Sequence, residues 1–358
     1  MKKFAIYAVI IGIVSAVMIY LLNYFGGGIN INDLYFFFLK SWWGLIGIGL
    51  MLVSWVTDAL NTYILVRLSK SKISFFRSLK ATIISNFFGM ITPSSTGGQP
   101  MQVVYLNKVG VSPGISTSIL VFKFIAWQGA IEMIAIFELR RAIVLLNGVP
   151  SALSLAIIGF IISSSIIVLM ILFNFNRKVY NMFFNVIRKF IALFKFSKRI
   201  RPKAEWLLQR FDSEIEKYSD SAKNFTQKPY ILALVFILSI VSSGAGLLLV
   251  LPTIASLGLF NNGIQEFLDV LAIQSLATLI IYYSPTPGST GTAEGEFYLF
   301  FSAIVPGRYL ATITIEWGIL RYFIPLIIGF IVVLFESLRG IKVTPEKEKD
   351  VIIKEKSS

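Results

Sequence analysis

Thr92-Pro-Ser-Ser-Thr-Gly97 and Thr286-Pro-Gly-Ser-Thr-Gly291 are two nearly identical stretches, matching at five of six positions and lying 194 residues apart. Each follows a short apolar run inside a strongly hydrophobic chain. Proline brings no N–H and glycine loosens a helix, so neither stretch suits a lipid-facing span. Backbone left unpaired in hydrocarbon costs several kcal/mol per group, so such a segment persists at membrane depth only when covered by protein or bordering a wet cavity. Two copies in corresponding halves predict a site built at a repeat interface, as in secondary transporters.

Composition agrees with a membrane setting. The 358 residues are 56% hydrophobic and 15% charged, with a mean hydropathy of +0.75; a soluble domain carries about 25% charged residues. There is no cysteine and no histidine. That excludes disulfides, thiolate nucleophiles, His-based acid–base chemistry and Cys- or His-based metal sites, and no cofactor is expected. The net charge of +14 is concentrated between Arg177 and Lys228, where 13 Lys/Arg face five Asp/Glu between hydrophobic spans. No nucleic-acid-reading motif accompanies it, so it reads as a cytoplasmic loop beside anionic lipid, with no nucleic-acid partner.

Segments long enough to cross are Phe4–Phe25, Trp42–Val66, Pro113–Phe137, Ser151–Asn174, Pro229–Leu257 and Tyr309–Leu338. The first follows Met1-Lys2-Lys3 and is too long for a signal-peptide core, so it reads as an uncleaved helix. Shorter apolar stretches, Leu79–Thr92 with Met101–Leu106 and Phe267–Ser284 with Phe297–Val305, flank the two motifs. Pieces of about 12 residues reach only ~18 Å, so each pair reads as a hairpin that enters and leaves on one side. The expected fold is all-α and polytopic, an inverted-topology repeat of about six full spans plus two re-entrant helical hairpins. With the N-terminus inside, the 13-cation loop falls inside only if Leu79–Leu106 is re-entrant. The Arg140-Arg141 pair on the outer side is the one departure from this charge bias.

The expected organisation is a first helix and external loop over 1–41, and a first repeat with an inner hairpin over 42–138. A linking span and basic cytoplasmic helices follow over 139–228, then a second repeat with an outer hairpin over 229–338 and a charged cytoplasmic tail over 339–358. Val179–Phe196 interleaves phenylalanines with Arg188, Lys189 and Lys195, as a helix in the headgroup layer does. Leu208, Phe211, Ile215 and Tyr218 recur at helical spacing, a face for packing on the domain or for a partner.

Charged residues within spans are costly and point to function. Applying the 194-residue offset, Lys123 corresponds to Trp317 and Trp127 to Arg321, so each half offers a cation and a tryptophan one turn apart in opposite order. Lys123 and Arg321 either receive an anionic head group or pair with Asp58, Glu294, Glu296 or Glu316. In the motifs, Thr92, Ser95, Thr96, Thr286, Ser289 and Thr290 supply hydroxyls, Pro93 and Pro287 set the turns, and Gly97 and Gly291 open the backbone. Helices starting near Gln99 and Glu294 aim positive ends at the same space.

Ser284-Pro-Thr-Pro-Gly-Ser-Thr-Gly-Thr-Ala-Glu-Gly-Glu-Phe297 resembles the signature of a flippase-like membrane family that includes the transmembrane region of lysylphosphatidylglycerol synthases. Asn86 to Gln99 and Arg321-Tyr-Phe-Ile-Pro325 are similar to its pattern too, and the likeness runs from about Trp42 to Leu338. A departure is Phe122-Lys123, where the family often has an acidic–basic pair. The resemblance implies a domain moving aminoacylated phospholipids or polyprenyl-linked head groups between leaflets. Lysyl transfer belongs to a soluble domain of the full synthases and is not expected here. The reading is a lipid flippase-like transporter of the cell membrane, not an enzyme, with both termini cytoplasmic and membrane lipids with anionic head groups as partners. The alternatives are a membrane subunit presenting lipid to a separate lipid-synthesising enzyme, and a carboxylate-based lipid transferase.

Overall fold

The structure, a computed structural model, describes residues 31–175, 177–193, 201–259, 263–284, 286 and 288–338. The expected span Phe4–Phe25, Pro287 and the tail after Leu338 lie outside the described residues. No strand occurs among those described. Helix α1 (Ile31–Tyr35) runs through a π-helical turn into α2 (Trp42–Leu68), then come α3 (Phe75–Met90), α4 (Gly98–Lys108) and α5 (Pro113–Phe137). Helices α6 (Leu139–Leu146), α7 (Pro150–Phe175), α8 (Arg177–Leu193) and α9 (Arg201–Thr226) form the middle of the chain. The second half holds α10 (Pro229–Leu247), α11 (Leu251–Ser256), α12 (Ile264–Ile281), α13 (Thr292–Phe301), α14 (Gly307–Gly318) and α15 (Ile324–Leu338).

Local chemistry sets several of these starts. Ser41 accepts from Trp43 N (3.1 Å) ahead of α2, and Ser74 and Ser112 cap α3 and α5 in the same way. Pro113 and Pro229 occupy first-turn positions, where the missing N–H costs nothing.

This is an all-α membrane protein. Among the described residues six helices are long and apolar enough to cross: Trp42–Leu68, Pro113–Phe137, Pro150–Asn174, Pro229–Ser256, Ile264–Ile281 and Gly307–Leu338. Five match expected spans. The sixth, Ile264–Ile281, is one that the sequence reading makes an arm of a hairpin; its 18 residues reach about 27 Å, far beyond half of the hydrocarbon core. Leu45, Val53, Ile161, Leu169, Ile237 and Phe330 stand exposed on helix faces, the surface that lipid tails cover.

Twice, a span is followed by two shorter helices and a second span, the first of the shorter pair having 16 residues in α3 and 18 in α12. Helices α4 and α13 start at Gly98 and Thr292, and α5 and α14 start at Pro113 and Gly307. Both intervals equal the 194-residue offset of the motifs. Helix α2 packs on α10, α3 on α15, and α12 on α5. The last two are one contact made reciprocally, the first short arm of each unit against the final span of the other, as two-fold-related units would make it. The first is tied by an ion pair, Lys80 Nζ–Glu336 Oε1 at 2.6 Å, whereas Arg141 Nη1–Asp269 Oδ1, also 2.6 Å, joins α12 to α6, the short helix that follows α5. Arg141 also faces Glu138 at 3.5 Å. Its charge is therefore compensated locally.

Polar contacts join the two leading helices: Asn61 Nδ2 donates to Ser239 Oγ (3.0 Å) and Ser242 Oγ to Ser54 O (2.9 Å). In a bilayer, where apolar burial does not drive helices together, such small-residue and polar contacts hold the pair. Helix α9 lies against α5. Glu214 accepts the Gly114 N–H (2.7 Å), Phe225 meets Phe122 edge-on (5.2 Å), and Ile215 and Tyr218 are buried. Of the two uses considered for its apolar face, the structure realises packing on the domain.

Candidate functional site

The two Thr-Pro motifs meet. Gly288 N donates to Thr92 O at 3.2 Å, and Tyr322 Oη donates to Met90 O at 3.1 Å. In the first motif, Thr92 Oγ1 donates to Phe88 O (2.7 Å) and accepts from Gly97 N (2.8 Å), closing the turn on itself. Ser94 and Ser95 hold left-handed backbone, φ 49° and 54°, at a cost of roughly 1–2 kcal/mol each. In the second motif, Ser289 Oγ donates to Ile281 O (2.8 Å), and the hydroxyls of Ser284, Thr286 and Thr292 bond to one another. Hydroxyls thus satisfy backbone that the turns free, as membrane depth requires.

Beside this junction lies a cavity of about 630 Å³ bordered by both halves. Among the described residues, Asp58, Lys123 and Arg321 alone bring charge to its wall. Lys123 Nζ donates to Asp58 Oδ2 (2.7 Å) and Thr62 Oγ1 (2.9 Å), and Thr82 Oγ1 donates to the same carboxylate oxygen (2.7 Å). The pairing alternative therefore holds for Lys123, with Asp58 as counter-ion. Arg321 differs. It rides on a π-helical turn, Ile319–Phe323, inside the last span, and its guanidinium sits 5.0 Å over the Trp317 ring. Trp317 stacks on Phe297 at 4.3 Å, and Phe297 on Phe301 at 4.3 Å. The stack fixes the guanidinium's place, no ion pair to it occurs among the described residues, and Nη1 has no hydrogen-bond partner. Among the described residues the wall thus carries one cation that is held by no ion pair.

Of the expected site residues, Ser95, Thr96, Gln99, Lys123 and Arg321 line this cavity. Thr92, Pro93 and Gly97 shape the first turn behind it, and Thr286, Ser289, Thr290 and Gly291 shape the second without reaching the wall. The expectation of two equal hairpin tips is corrected by one contact. Glu294 Oε2 accepts the Gly291 N–H at 2.6 Å, with Gly291 at φ 84°. That carboxylate occupies the positive end of its own helix, α13, so this end is not open to a ligand anion. Helix α4 has no acid in its first turn, and its Gly98 start borders the cavity. Glu296 lies within electrostatic reach of Arg321, while Glu316 is fully buried away from the wall.

The pattern of the lysylphosphatidylglycerol synthase TM region matches residues 6–329. The chain belongs to this family. A UPF0104 membrane protein of Archaeoglobus fulgidus is 25% identical over 304 residues, 84% of this chain and 88% of the relative.

Within this family member, the sequence left several cavity groups unremarked. Asn86, Gln102, Gln128 and Gln274 bring amides to the wall. Gln128 Nε2 donates to Ser163 Oγ, which donates to the buried Glu132, so a polar chain runs from the cavity to α7. An amide in an apolar run was the available signal, since a buried polar group needs a partner.

Gly288 reports directly on the junction. Its φ is +57°, and a Cβ there would lie 2.5 Å from Met90 O and 2.6 Å from Tyr322 Cε2. Neither a backbone carbonyl nor a packed ring yields easily. Gly288→Ala is expected to destabilise by about 2–4 kcal/mol through strain and overpacking, measured as a lowered Tm in detergent. Gly244→Ala, with open space around it, is the control. Equal Tm values for the two variants would mean that the motifs do not meet.

Proposed function

We propose that the chain is a lipid flippase-like transporter of the cell membrane, passing anionic head groups through this cavity while the tails stay in lipid. The observation that carries the reading is Arg321, a cation without a carboxylate partner among the described residues, facing a polar cavity between two repeated units. The N-terminus of α4, with no acid in its first turn, adds partial positive charge to the same space. The family's name, a lysylphosphatidylglycerol synthase TM region, fits a protein that handles lipid. Transport rather than catalysis is assigned. A partner-presenting role would call for a free face on α9, and that face is packed against α5.

The expected test is lipid transfer in proteoliposomes carrying acyl-labelled fluorescent phosphatidylglycerol, with dithionite quenching of the outer leaflet. Protein-containing vesicles should lose more than the outer-leaflet fraction; behaviour identical to protein-free vesicles overturns the reading.

The proposal includes an inverted repeat, with α3/α4 and α12/α13 as hairpins entering from opposite faces and both termini cytoplasmic. The 194-residue spacing of helix starts and the reciprocal α3–α15 and α12–α5 contacts support it. Single cysteines introduced into this cysteine-free chain are expected to label from the cytoplasm at Lys108 and from outside at Gly263. Labelling at Lys108 from outside alone would defeat the inverted arrangement.

A further inference from the structure

Two amides on the cavity wall have buried atoms without partners. Gln102 and Gln274 are each 3% exposed, and both line the cavity. Gln102 Nε2, a donor, and Gln274 Oε1, an acceptor, make no hydrogen bond among the described residues. Orphaned polar atoms at this burial are uncommon and costly, and call for a partner. A phosphate only accepts and an ammonium only donates, so neither satisfies both. A hydroxyl does both.

The charge on the wall restricts the ligand further. Asp58 is engaged by Lys123 and Thr82, so a cationic amine would compete with an ion pair already formed. Arg321 leaves one positive charge to be met. Trp55 and Trp127 add flat apolar walls, surfaces against which the C–H faces of a polyol pack.

Resting on the transport reading, we infer that the cavity takes a polyhydroxylated head group carried on a single phosphodiester. The phosphodiester sits at Arg321 and the hydroxyls at Gln102 and Gln274. Zwitterionic and aminoacylated head groups are disfavoured because they bring an ammonium to a wall without a spare carboxylate. A site built for hydroxyls rejects ligands lacking them, because its own buried groups are then left unpaired.

Binding, separate from transfer, tests this. Short-chain phosphatidylglycerol, phosphatidylinositol, phosphatidylcholine and lysylphosphatidylglycerol are titrated into purified full-length protein while tryptophan fluorescence is read. The two polyol phosphodiesters are expected to bind at least about tenfold more tightly than the other two. Gln102→Leu should weaken binding of the two polyol phosphodiesters at least about tenfold and so erase that preference; a preference kept in the variant overturns the polyol assignment. Equal or tighter binding of phosphatidylcholine or lysylphosphatidylglycerol overturns the polyol assignment and leaves the transport reading standing. Failure of all four lipids to bind overturns the transport reading and the assignment with it. Glycerophosphoglycerol, the head group without chains, should bind at least about tenfold more weakly than phosphatidylglycerol; equal affinity would identify a soluble ligand and refute a lipid one.

Discussion

Asp58→Ala is expected to destabilise the protein by about 3–5 kcal/mol, the cost of leaving one member of a buried ion pair unpaired. Lys123 keeps only 10% of its side chain exposed, and Asp58 25%. The lower end of the range is the better expectation, because Asp58 borders the cavity and some water reaches the pair. Thr62 alone cannot replace a carboxylate as partner for the ammonium, and Thr82 would lose its acceptor as well. The double variant Asp58→Ala/Lys123→Met removes both charges, and apolar replacement of a whole buried pair is often neutral. Thermal unfolding in detergent should therefore show Asp58→Ala well below the parent and the double variant largely restored. A double variant less stable than Asp58→Ala would mean that Lys123 is held by something other than Asp58.

The Asp58–Lys123 pair also marks how far the sequence could be read. Both charges sit in apolar runs, and pairing was one of two alternatives for Lys123; choosing between them needs the distance across α2, α3 and α5. Five spans were legible because about 20 consecutive apolar residues have few other uses. Ile264–Ile281 was legible by the same measure, since the apolar stretch Phe267–Ser284 already holds 18 residues; grouping it with pieces of about 12 residues hid a helix long enough to cross. The two motifs announced their own meeting through their repetition. Their inequality was hidden, because nothing in Thr286–Glu294 says that Glu294 folds back onto the Gly291 N–H. That depends on the backbone angle at Gly291. Gln102 and Gln274 went unremarked for a similar reason: a single amide in a hydrophobic helix carries no period, and only packing shows which space it faces.

Arg321→Gln is expected to leave the protein folded and to reduce lipid transfer roughly 10- to 100-fold. A hydrogen bond to a charged group contributes about 1.5–3 kcal/mol, and each 1.4 kcal/mol is tenfold in affinity. Stability should change little because no carboxylate is paired with Arg321 among the described residues. What is lost from the fold is the cation–π contact with Trp317, worth about 0.5–2 kcal/mol. Arg321→Lys keeps the charge but gives up the planar fork and its stacking, so it should transfer lipid at an intermediate rate. The competing role is electrostatic support of Glu296, which lies within reach of the guanidinium. In that case Arg321→Gln would unfold at clearly lower temperature, and Arg321→Gln/Glu296→Gln would recover both stability and transfer. A head-group cation has the opposite signature, since the double variant stays as slow as the single one. Arg321→Gln protein that is stable and moves lipid at the parental rate would remove the guanidinium from the transport path altogether.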